Sequence, residues 1–300
     1  MKKITMLSFV LLALSTLAEA KNVFTPTHFA PKSHALTMFQ AAAGAGALKY
    51  YGGPVIPNAK VTVVLWGNNV QKDIVSGAGD FYASLTKSDI MDWMDQYNTA
   101  GKSLDGRDGT NQHIGKGSYS GTVTIQPTQT SGSIDDKDIQ AELQRQIDAG
   151  KLAKPDDSTL FMVYFPPGMT ITIEGMASCS QFCAYHGFNG APSPSNHFYY
   201  GVMPDLGGAC SFGCGFNQHF DNVTSISTHE FCEAVTDPFP TAGSTPGYPQ
   251  AWNDNQGSEI GDLCADSMNT LKSANGKSYS VQAEYDNTTS SCSSRNWTSN

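Results

Sequence analysis

Two apolar runs, residues 61–66 (VTVVLW) and 160–165 (LFMVYF), constrain this chain most, because β-branched and aromatic residues in such runs form buried strands. Residues 119–125 alternate as a third strand, and 198–203 complete the set expected in the sheet. Amphipathic stretches lie between them. Residues 81–97 are predicted helical, with Ser88 able to cap and Ile90, Trp93, Met94 and Tyr97 on one face. Residues 134–149 form a second helix beginning near Asp135 or Asp136, and 223–236 a third, capped by Asp221 or Asn222 and ended by Asp237-Pro238. The expected class is α/β or α+β, a mixed β-sheet packed with helices in a single domain over 49–300.

The ends and the cysteines suggest an address. Lys2 and Lys3, an apolar stretch over 6–17 and Ala18-Glu19-Ala20 fit a cleaved signal peptide over 1–20. Residues 21–48 show little periodicity and read as a loose arm or pro-segment. All seven cysteines follow residue 178, so three disulfides and one free thiol are expected, with Cys232 the candidate for the free one. Two C-x-x-x-C pairs, Cys179/Cys183 and Cys210/Cys214, could otherwise build a four-cysteine zinc site. The rest of the 170–220 region is expected as disulfide-tied loops. The protein is therefore expected to be secreted, periplasmic only in transit, and free of the membrane once cleaved. A formal net charge of -9 argues against a nucleic-acid surface.

The chemistry concentrates in His229-Glu230-Phe231-Cys232-Glu233, an H-E-x-x-E motif inside the third helix. At 100° per residue His229 and Glu233 lie about 40° apart, so both reach one ion while Glu230 stays beside it. This is the H-E-x-x-H geometry with Glu in place of the second His, and it makes the helix zincin-like. Phe231, Cys232 and Val235 face the core. Glu259 or Asp262 is expected to complete the metal site, the other orienting His229; Asp237 is a third candidate. Zinc is the expected ion, and two oxygen ligands also admit Mn²⁺ or Ca²⁺. Glu230 is the expected general base toward a metal-bound water. His219 is a further candidate, as a ligand or an oxyanion donor.

Tyr50-Tyr51-Gly52-Gly53-Pro54-Val55 before the first apolar run resembles the EXORDIUM/phosphate-induced secreted protein family. So do Cys179-Ser180-Gln181-Phe182-Cys183-Ala184-Tyr185-His186-Gly187 and the Cys210–Cys214 pair. The chain looks like a microbial branch with S-x-H-E-x-x-E-x-x-T-D-P and E-I-G-D-x-C, elements that suggest a zinc-peptidase-like site on His229, Glu230, Glu233, Glu259 and Asp262. The expectation is a secreted zinc metallopeptidase acting on peptide or protein substrates. The alternative is a non-catalytic, cell-wall-associated extracellular protein with a structural metal or none. Phe198, Tyr199 and Tyr200 hint at carbohydrate binding but fit strand packing equally well.

Overall fold

In the computed structural model the described residues are 27–31, 47–190, 197–211, 213–215, 217–241, 245–265 and 267–299. The leader expected over 1–20, and residues 21–26 and 32–46 of the expected arm, lie outside them. In chain order the elements are β1 (Thr27–Pro31), β2 (Lys60–Trp66), α1 (Lys72–Leu85), α2 (Asp89–Trp93), β3 (Ser118–Ile125), α3 (Asp136–Asp148), β4 (Thr159–Tyr164), β5 (Phe182–Gly190) and β6 (His197–Met203). Then follow α4 (His219–Thr236), β7 (Met268–Lys272), β8 (Ser278–Gln282) and β9 (Trp297–Thr298). The architecture is mixed α/β. The main sheet runs β1-β5-β6-β4-β2-β3. Its β3, β2, β4 and β6 are mutually parallel; β5 pairs antiparallel with β6, and β1 antiparallel with β5. A smaller sheet, β8-β7-β9, packs beside α4.

The two apolar runs become the central strands because both faces of the sheet are covered. On β4 and the residue after it, Leu160, Met162 and Tyr164 join the core beneath α1 and α4, while Phe161, Val163 and Phe165 join the one beneath α3. The same alternation decides β5: Ala184 and Phe188 enter the α4 core and Tyr185 the α3 core, so His186 shares the α4 face. That face holds the candidate site.

Three segments differ from expectation. The helix over 81–97 is two helices, because Thr86 Oγ1 donates to Tyr82 O at 2.7 Å and Ser88 Oγ to Leu85 O at 2.8 Å, with Ser88 backbone extended. Ser88 is thus the residue before α2, but its hydroxyl makes no cap bond. Helix α4 starts four residues early, at His219. Asn222 cannot cap it, since its amide ties back to Asn217 through Asn222 Nδ2–Asn217 O (3.1 Å) and Asn217 N–Asn222 Oδ1 (2.9 Å). Residues expected as loops include β5, a nine-residue strand, and residues 27–31 of the expected loose arm pair along it. By contrast α3 begins as expected, with Asp135 accepting from Lys137 N.

Cys179–Cys210, Cys183–Cys214 and Cys264–Cys292 are bonded, and Cys232 is the buried free thiol. Cross-pairing of the two C-x-x-x-C pairs excludes the four-cysteine zinc site. Disulfides suggest an oxidising environment. No helix among the described residues is long and apolar enough to cross a membrane.

Candidate metal centre

Four segments converge on one buried spot. Helix α4 brings His229, Glu230 and Glu233; β5 brings His186; the segment before the Cys264 disulfide brings Glu259 and Asp262; β8 and the residues after it bring Gln282 and Glu284. His186, Glu230, Glu233, Glu259 and Glu284 are 0% exposed and His229 is 1% exposed, whereas the Asp262 side chain is 14% exposed. A helix turn of polar groups survives there because α4 is buried on almost every side, with Phe231, Cys232 and Val235 in the core as expected.

The ligand atoms fall into two triples: His229, Glu233 and Asp262; and His186, Glu233 and Glu259. Within each triple they lie within 4.8 Å of one another. His229 Nε2 is 3.1 Å from Glu233 Oε1 and 3.9 Å from Asp262 Oδ1, without hydrogen-bond alignment to either. His186 Nδ1 is 3.4 Å from Glu230 Oε2 and 3.6 Å from Glu233 Oε2, and its Nε2 is 3.8 Å from Glu259 Oε2.

Surrounding hydrogen bonds set these orientations. Gln282 presents Oε1 at 3.2 Å and Nε2 at 2.9 Å to His229 Nδ1, and Nε2 also donates to Gly261 O at 2.8 Å. Thus Gln282, not Asp262 or Glu259, orients His229, fixing Nε2 toward the acids. Asp262 stands on the ligand side: its Oδ2 accepts from Glu259 N at 3.0 Å, and its N donates to Glu233 Oε1 at 3.2 Å. His186 Nε2 donates to Asp237 O at 3.2 Å, turning Nδ1 toward Glu230 and Glu233. Asp254 Oδ1 accepts from Gln256 N and Ser258 N, forming the turn that delivers Glu259.

Electrostatics follow from the crowding. Burial pulls His186 down, but Glu230 and Glu233 outweigh it and push the ring up to about 9. Burial likewise opposes His229, and Glu233, Glu230 and Asp262 raise it to about 10. Burial raises the Glu230 carboxyl above its ordinary range and Glu284 well above it, and Cys232 beside Glu284 is also pushed well up. Two imidazoles that attract protons this strongly, each against carboxylates, offer the donor set of a divalent cation site.

Of the residues expected at the site, His229, Glu230, Glu233, Glu259 and Asp262 are brought together. Asp237 falls in neither triple, and its Oδ1 accepts from Ala251 N at 2.8 Å and its Oδ2 from Asn253 Nδ2 at 2.6 Å. His219 is elsewhere, about 15 Å along α4 by helix rise, pairing with Asp73 Oδ2 at 2.7 Å and Asp205 Oδ1 at 3.4 Å. Those two acids, Asp205 foremost, raise it to about 9. Sequence reasoning missed His186, Gln282 and Glu284 as site residues. A signal existed: the chain has only seven Glu, four of them here, and His186 interrupts the apolar run at 182–188.

No protein-family model, no curated protein and no solved structure matches the chain.

Proposed function

We propose that the chain is a secreted, metal-dependent hydrolase of peptide bonds, with a zincin-like helix in α4. His229, Glu233 and Asp262 would hold the ion, and Glu230 would act as general base. The supporting observation is Glu230 itself: it belongs to neither ligand triple yet stands 3.4 Å from His186 in the same buried spot. A purely structural site has no use for a further buried carboxylate, which costs desolvation. A bound zinc ion would supply Lewis acidity toward the substrate carbonyl. Glu230 would take a proton from water as its oxygen adds to the carbonyl carbon, then pass it to the amine nitrogen as the C–N bond breaks. Burial raises its carboxyl, which favours holding the proton until the leaving amine takes it. A peptide substrate is favoured by β5, which holds His186 and already pairs with an extended segment, Thr27–Pro31, with His28 opposite His186. The three disulfides support an extracellular setting, as do the resemblance to the EXORDIUM/phosphate-induced family and the leader expected over 1–20.

A second reading, a structural metal in a non-catalytic extracellular protein, is favoured by the near-zero exposure of the donors. Metal content of the purified chain, alongside a quenched-peptide assay, separates them. The hydrolase reading expects metal in wild type and in Glu230→Gln, with hydrolysis lost about 100-fold or more in the variant. Metal in both proteins with hydrolysis in neither selects the structural reading, and no metal in wild type sinks both.

A further inference from the structure

We infer that the centre is built for two cations bridged by the Glu233 carboxylate, a conclusion resting on the reading that the centre binds metal at all. The two triples share Glu233 alone. Its oxygens face different histidines, Oε1 lying 3.1 Å from His229 Nε2 and Oε2 3.6 Å from His186 Nδ1. That is the disposition of a carboxylate spanning two ions, which in paired sites stand about 3.5–4 Å apart.

Each ion then has the same donor set, one imidazole nitrogen and two carboxylate oxygens. His229 and Asp262 complete one site, His186 and Glu259 the other. Each histidine is held from behind by an independent partner, His229 Nδ1 by Gln282 and His186 Nε2–H by the carbonyl of Asp237. Orientation of a ligating histidine through its other nitrogen is how metal sites are pre-arranged, and here it is done twice. The buried Nε2 of His229 is aimed between Glu233 Oε1 and Asp262 Oδ1 without a hydrogen bond to either, which points to a ligand on that side.

A single ion does not account for both triples. The two triples together offer five side chains, whereas four donors fill a tetrahedral zinc sphere. One ion would therefore leave part of a pre-oriented, buried set idle. Charge agrees: with neutral imidazoles, one dication leaves Glu230, Glu233, Glu259 and Asp262 two charges in excess. A second brings those groups to neutrality, which a water-excluded site favours.

The test is zinc titration of the chelator-stripped full chain, followed by native mass spectrometry and zinc-edge X-ray absorption. The expected result is two zinc ions per chain and a zinc–zinc vector of roughly 3.5–4 Å. His186→Ala and Asp262→Ala should each retain one ion and lose that vector, each with a wild-type circular dichroism spectrum. One zinc in wild type with no metal–metal vector overturns the second site while leaving the one-metal hydrolase intact. No zinc overturns both. The wild-type measurement decides even if the variants fail to fold.

Discussion

Gly261 shows how tightly the site is drawn at the residue scale. A Cβ at this position would sit 2.5 Å from His229 Nδ1, closer than atoms approach, so the imidazole is seated against bare backbone. The same backbone accepts Gln282 Nε2 through Gly261 O, and Gln282 in turn contacts Nδ1. Gly261→Ala should therefore displace the ring from its seat, and Gln282→Leu should leave it without its orienting amide. Each is expected to weaken zinc binding about 10–100-fold, measured by competition with a fluorescent chelator. Unchanged affinity in Gln282→Leu would mean that His229 does not ligate. The motif His229-Glu230-x-x-Glu233 was legible because helical period alone puts its ligands on one side. Gln282 and His186 were not, since they reach the site only because strands of two separate sheets pack against α4.

At the scale of elements, the central strands and α3 were legible because apolar runs and an Asp cap carry their own signal. Strand β5 was not: Cys183, Gly187 and Gly190 break its alternation, and its burial comes from α4 and the disulfides around it rather than from a local pattern. Two expectations follow from these supports. The Cys264–Cys292 bridge closes a 28-residue separation and pins the turn Asp262–Cys264. Replacing both cysteines by serine should cost about 3–4 kcal/mol of unfolding free energy, read by urea denaturation, and should weaken zinc binding through Asp262. Strand β1 covers the free edge of β5. A chain lacking residues 21–46 should expose that edge and cleave or bind extended peptides more strongly than the full-length protein. Equal or weaker peptide binding on truncation would separate the β5 edge from substrate binding.

For the whole molecule, His186, His229, Glu230, Asp237 and Glu284 bias stability in one direction with pH. His186 and His229 sit at about 9 and about 10, above the ordinary histidine value near 6.5. Their contribution to the metal-free fold is complete below about pH 6.5 and is lost as pH rises through those raised values. The acids agree in sign. Burial lifts Asp237 to about 6 and raises Glu230 and Glu284, so the folded chain holds protons that the unfolded chain releases at lower pH. Folding therefore binds protons throughout the neutral and alkaline range, and metal-free stability should fall as pH increases. Zinc requires neutral imidazoles and ionised carboxylates, so its binding strengthens in the same interval. The stripped protein should lose on the order of 5 °C or more in Tm between pH 6 and pH 9. Excess zinc should restore most of that at pH 9 and little at pH 5.5. His219, raised to about 9 by Asp205 and Asp73, adds a smaller loss that zinc does not repair, and His219→Gln should remove it. Thermal scans with and without zinc across this range check the account, because superimposable curves at pH 9 would mean that protons alone hold these carboxylates together.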